Sequence, residues 1–157
     1  MRAFTDNKPN GATVRGPKAL VDLWVRWYEA HYAALLGRQV MFPYTRSGGA
    51  DAATAADWRR VSSVHLRRFM GRWKLGDAQV QDYLCWLWVV RVPDLDDHVT
   101  GLHALPAFLP EYRRWLREHA DEVAQSGMYD ACVRDRGRAA PCGDQLGALL
   151  RALGAPA

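Results

Sequence analysis

The chain has 157 residues, 49% of them hydrophobic and 24% charged, with a formal net charge of +4. That length is enough to bury a core without disulfides or a structural metal. The composition, with seven tryptophans, excludes an intrinsically disordered chain. Cut at Gly76, the charge divides unevenly: residues 1–76 carry 13 Lys and Arg against 5 Asp and Glu, or +8, and the remainder carries 8 against 12, or −4. A basic half of this kind points to a polyanion on one side of the molecule and a protein neighbour on the other.

Residues 1–16 mix Gly, Pro, Asn and Thr without periodicity and predict a flexible arm, followed by one helical domain over 17–157. The N-terminus has no apolar signal-peptide core, and the longest apolar stretch, 83–90, is too short to cross a bilayer, so a cytoplasmic protein with no membrane contact is expected. Gly16-Pro17 starts a helix, because proline at the first helical position gives up only an N–H that would be unpaired. Its inward face is Leu20, Leu23, Trp24, Trp27, Tyr28, His31 and Leu35, and Gly37 is its stop. RQVMFPYTR, broken by Pro43, predicts a short extended connector or edge strand. Phe42 and Tyr44 are expected to pack beneath it; stacking on nucleic-acid bases is the other reading.

A second helix, capped by Asp51 or Asp57, runs to about Lys74. At about 100° per residue, Trp58, Val61, His65, Phe69 and Trp73 share its core face, and Arg60, Arg67 and Lys74 fall almost opposite. Asp77 caps a nearly all-apolar third helix, which predicts the most buried element, ended by Pro93. An acidic loop and the proline-punctuated 98–110 lead to a fourth helix over 110–127, started by Pro110, with Tyr112, Trp115, Leu116, His119 and Val123 inward and Gly127 as its stop. Residues 128–143 read as irregular, and Asp144 caps a last short helix, DQLGALLRALG. The fold class expected is therefore all-α, a single compact bundle of about five helices.

Between Trp58 and Gly76 stand Arg59, Arg60, Arg67, Arg68, Arg72 and Lys74, with no carboxylate. A solvated helix face is often charged, but it ordinarily interleaves both signs, since like charges three or four residues apart repel. The cationic line extends about 21 Å at about 1.5 Å per residue, enough to follow several phosphates at about 3.4 Å spacing. Guanidinium groups suit phosphate because each can bond two oxygens, and Arg38 and Arg46 extend the footprint if the connector folds alongside. These eight cations are the candidate nucleic-acid-binding residues, for DNA or RNA backbone with weak sequence preference. A helix-turn-helix is disfavoured, because the third helix opens with Asp77 and Asp82 and has only Gln79 and Gln81 to read bases.

Other chemistry is sparse. Asp94, Asp96, Asp97, His98 and His103 have metal-ligand character without the calcium-loop spacing, and a helix-capping acidic loop is the plainer reading beside a metal-dependent hydrolase. His31, His65 and His119 fall on core faces. Cys85 sits among apolar neighbours that make a thiol inert, and Cys85, Cys132 and Cys142 form no disulfide or zinc pattern. No catalytic motif or cofactor fingerprint occurs, so a non-enzymatic protein without cofactor is expected. The alternative is an interaction module, of the kind of a phage-encoded inhibitor or adaptor, whose basic face docks an acidic partner and whose tryptophans anchor the contact.

Trp24, Tyr28, Tyr32 and Gly37, then an extended segment to Tyr44 and a basic helix with Leu66, Phe69 and Gly71, resemble the helical modules of bacteriophage-type replication accessory proteins over about residues 20–90. In size, basic helix and all-α character the chain also resembles the small subunits of CRISPR effector complexes. Both resemblances imply a non-catalytic subunit lining a nucleic-acid strand in a larger assembly.

Overall fold

The computed structural model describes residues 14–95 and 101–139. Every regular element among them is helical, as the periodicity predicts. Helix α1 spans Pro17–Leu36, α2 Ala52–Trp73, α3 Asp77–Trp86, α4 Leu105–Glu118, α5 Ala120–Ser126 and α6 Met128–Ala139. Six α-helices thus stand among the described residues where about five were expected for the whole chain. Residues 1–13 of the arm, and the short helix read after Asp144, lie outside the described residues. Val14 and Gly16 are tied down: their N–H groups donate to the Gln81 side chain at 2.9 Å and to the Asp77 carboxylate at 3.1 Å.

In α1, Leu20, Leu23, Trp24, Trp27, Tyr28 and His31 are buried as expected. Gly37 closes the helix with φ of 68° and its N–H on the Ala33 carbonyl at 2.9 Å, a left-handed conformation that glycine enters freely. Leu35 is 49% exposed, contrary to its place in the spacing, because the last turn of α1 runs past the core. The connector forms no strand. It is pinned by the Glu29 carboxylate, which accepts the Phe42 N–H at 2.8 Å, and by Phe42, wholly buried with its ring 4.6 Å from Trp58 and 4.8 Å from Tyr28. Tyr44 stacks on Trp58 but is 42% exposed, so of the two aromatics expected beneath the loop only Phe42 is buried there.

Asp51, not Asp57, caps α2, accepting the Thr54 N–H at 2.7 Å. The face that α2 buries is Ser62, Leu66 and Phe69, with Trp58 and Trp73 half-buried beside it. Val61 and His65, placed in the core by spacing from Trp58, are exposed. The helix is turned by about 40° from the expected phase, and this rotation brings Arg59 against α1, where it pairs with Asp22.

Helix α3 is the most buried element, as expected: Val80, Tyr83, Leu84, Trp86, Leu87, Trp88 and Val89 are each at most 1% exposed. It begins one residue beyond its cap, Gly76, whose N–H is held by the Gln79 side chain at 2.8 Å. It continues as a π turn, Leu87–Arg91, and a 3-10 turn, Val92–Asp94, around Pro93. Trp88 is ringed by Trp24 at 5.1 Å and by Tyr28, His31 and Tyr32 at 5.7–6.2 Å. A second aromatic chain, Phe69 to Tyr83 to Tyr112 and Trp86, joins the C-terminal part of α2 to α3 and α4.

Three boundaries depart from the sequence reading. Helix α4 starts at Leu105, not Pro110: Pro106 lies in its first turn, and the exposed Pro110 removes a bond only on the solvent side. The expected fourth helix is broken at His119, whose ring stacks on Trp115 at 4.3 Å and approaches Asp135 at 3.4 Å. Residues 128–139, expected to be irregular, form α6, because Met128, Tyr129, Ala131 and Cys132 are all buried on one face. Arg136, 9% exposed, closes that face on Asp94 at 2.6 Å.

Asp82 makes no hydrogen bond or ion pair among the described residues, and burial pushes its carboxyl up to about 6 from 3.8. A raised acid is favourable to the fold while protonated; that contribution is present below about pH 3.8 and lost as pH rises through about 6. Asp82→Asn is therefore expected to stabilise the protein by about 1–3 kcal/mol at neutral pH. Urea titrations at acidic and neutral pH check it: the wild type loses stability between pH 4 and 7 relative to the variant.

Candidate nucleic-acid interface

The eight candidate cations do not form one surface. Arg59 is half-buried and ion-paired with Asp22 of α1, so its role is to hold α2 on α1. Arg60 is exposed but paired with Asp57 at 2.7 Å, one turn back on the same helix. Arg38 and Arg46 are exposed beside the connector, which Tyr44 ties to Trp58 at the N-terminal end of α2. From Trp58 to Arg72 the helix rises about 21 Å, so these two are at the far end. Arg67, Arg68, Arg72 and Lys74 remain, all exposed and none with a carboxylate partner among the described residues.

With α2 turned so that Arg59 meets α1, His65, Arg68 and Arg72 lie toward the segment before α4. There they border a groove of about 400 Å³ whose other walls are Phe69, Trp73, Leu102, His103 and Pro106. Phe69 and Leu102 are 4% and 3% exposed and form the floor, whereas the two arginines and two histidines are exposed at the rim. The Arg72 guanidinium lies 5.4 Å from the centre of the Trp73 ring. Arg113 reaches the same ring from α4 at 5.3 Å, a cation–π arrangement of two like charges on one indole. Arg113 was not singled out in the sequence, although its place seven residues after Pro106, on the same face of α4, is the signal that links it to the groove.

Lys74 ends α2 in the left-handed conformation, with φ of 54°, the one non-glycine residue with positive φ among those described. Glycine is easier to hold there by about 1 kcal/mol. Lys74→Gly is expected to raise stability by that amount while lowering the salt dependence of nucleic-acid binding by about 0.7 in log–log slope, the share of one single-strand phosphate. Thermal unfolding and anisotropy titrations on one preparation check both signs.

The neighbouring α3 offers little to a nucleic acid. Gln79 is occupied by the Gly76 N–H and Gln81 by the Val14 N–H, Asp77 holds Gly16, and Asp82 is largely buried. Of the acidic loop, Asp96, Asp97 and His98 lie outside the described residues; Asp94 is engaged by Arg136, and His103 faces the groove. No group of three or more potential metal ligands occurs among the described residues. Cys85 and Cys132 are buried free thiols, and burial, with Cys85 alongside, pushes the Cys132 thiol well up, which suppresses the reactive thiolate. All seven tryptophans are buried or half-buried, so they hold the core together. No described helix is long and apolar enough to cross a membrane. No protein-family model, curated protein or solved structure matches the chain.

Proposed function

We propose that the protein is a non-enzymatic nucleic-acid-backbone-binding subunit, working within a larger cytoplasmic nucleoprotein assembly. The observation that carries this reading is the set Arg67, Arg68, Arg72 and Lys74: four exposed cations in eight residues, none neutralised by a carboxylate among the described residues. Such a set repels itself at the helical spacing and is relieved by an anionic chain. Arg113 adds to it from a second helix. Arg60, though paired, is exposed and can exchange Asp57 for a phosphate, because a surface pair of this kind is worth about 1 kcal/mol or less. Arg38 and Arg46 contact a longer strand at the other end of α2.

Fluorescence anisotropy with a labelled 15-nucleotide strand tests the reading. Binding is expected at low salt, with log K falling linearly against log salt at a slope of about −3 for four to five phosphates. Absence of binding at about 50 mM salt overturns it.

A second reading has its own support. Leu35, Leu36, Met41 and Tyr44 are 38–52% exposed around the end of α1 and the connector, a patch suited to a protein neighbour. In that reading the basic face docks an acidic partner, and a stoichiometric protein without nucleic acid co-purifies.

A further inference from the structure

The geometry points to the groove between α2 and the start of α4 as a pocket for one unstacked nucleotide of a single strand, with the base on the apolar floor and its phosphate on the cationic rim. This deepens the backbone reading and rests on it.

Phosphate attraction alone needs only charges on a convex helix, and Arg67 and Lys74 already supply those. The groove differs in kind. Its volume of about 400 Å³ falls within the roughly 300–1,000 Å³ usual for small organic ligands, and its walls combine two chemistries. Phe69, Trp73, Leu102 and Pro106 are apolar; Phe69 and Leu102 are almost wholly buried, so the half-buried Trp73 ring and the exposed Pro106 present the contact surface. Arg68 and Arg72, with His65 and His103, surround them with donors. Arg113 stands against Trp73 just beyond the groove. A planar base has two π faces for such a floor and for guanidinium planes, and it carries a phosphate on the same residue.

A duplex does not fit this description, because its bases are stacked inward and it presents phosphates to an apolar floor. An acidic peptide also fits less well: its carboxylates satisfy the rim and leave the aromatic floor uncovered. The occupant that uses both halves is a nucleotide whose base is free. Neither His65 nor His103 has a hydrogen-bond or ion-pair partner among the described residues, so both rings are available to oxygen atoms of the ligand.

The test compares three labelled probes of equal length on the intact protein: a 15-nucleotide oligothymidylate, a 15-residue abasic strand with the same phosphates, and a 15-base-pair duplex. The base-bearing strand is expected to bind about tenfold tighter than the abasic one, the scale of one base on an aromatic surface. Pro106→Leu, which narrows the groove from an exposed position in the first turn of α4 without adding a ring for a base to stack on, is expected to bring the base-bearing and abasic strands to equal affinity. Equal affinity of the wild type for base-bearing and abasic strands overturns the pocket while the backbone reading stands. Failure of every probe to bind overturns both. AMP is expected to displace the strand only at millimolar concentration; binding AMP as tightly as the strand would overturn the single-strand assignment in favour of a free nucleotide.

Discussion

Replacing Arg68 and Arg72 together by glutamate is expected to weaken single-strand binding by about 100-fold at about 50 mM salt, with each lost charge-assisted bond worth roughly 1.5 kcal/mol or more. The salt slope should shrink by about 1.4, the share of two phosphates on a single strand. Both side chains are exposed, and neither has a carboxylate partner among the described residues. The folded state therefore loses little beyond the Arg72 contact with Trp73, roughly 0.5–1 kcal/mol, and the unfolding midpoint should move by only a few degrees. The control of equal charge is Arg38→Glu with Arg46→Glu, at the other end of α2. If binding is governed by net charge alone, the two double variants lose affinity equally. If the groove end of α2 is the interface, the Arg68 and Arg72 pair loses much more. Arg59→Glu separates the cases further, because breaking its pair with Asp22 acts on stability, with the loss seen in urea and not in the salt slope.

The parts of the molecule readable from sequence are those whose signals are local. Helix α1 declares itself by aromatic spacing and by Gly37, and α3 by an apolar surface that leaves no solvent face. The phase of α2 was not readable. Starting from Trp58, the helical spacing selects Val61 and His65 as readily as Ser62 and Leu66; the structure buries Leu66 and Phe69 against the core, and in that phase Arg59 meets Asp22 on α1. The side that buries Leu66 and Phe69 thus decides which arginines face outward. Helix α6 was hidden for a different reason. Its buried stripe of Met128, Tyr129, Ala131 and Cys132 has helical spacing, but Asp130, Asp135 and several arginines interrupt it, and these pair only in three dimensions with Trp115 and Asp94. The start of α4 was obscured because Pro106 and Pro110 read as breaks, whereas one is in the first turn and the other faces solvent.

The candidate site follows the same division. The abundance of cations in 58–76 is a sequence fact; which of them are free is not. Arg59 and Arg60 are indistinguishable from Arg67 and Arg68 in composition, and only the positions of Asp22 and Asp57 separate them. The groove could not have been read from α2 alone, because three of its eight lining residues, Leu102, His103 and Pro106, come from a segment some 30 positions further along the chain.

The groove also depends on the core into which its Phe69 and Leu102 are built, and Trp88→Ala is the variant that exposes this dependence. Trp88 is wholly buried, with Trp24 edge-on at 5.1 Å and Tyr28, His31 and Tyr32 around it. Truncation leaves a cavity that α1 and α3 cannot both close, and the expected loss is about 3–5 kcal/mol, a large part of a typical margin of roughly 5–15 kcal/mol. Urea unfolding should show the midpoint falling with the slope unchanged; a loss below about 1 kcal/mol would contradict the packing. Trp88→Phe is expected to be much milder, since it keeps a ring against Trp24 and removes an indole N–H that has no hydrogen-bond partner among the described residues. The consequence for binding follows from what each half of the interface requires. Attraction to phosphate needs only cations carried on α2, and a loosened core still carries them. Preference for a base-bearing strand needs Phe69 held by Tyr83, and Tyr83 held through Tyr112 to α4. Near its unfolding midpoint, Trp88→Ala should therefore lose discrimination between thymidylate and abasic strands before it loses affinity for either.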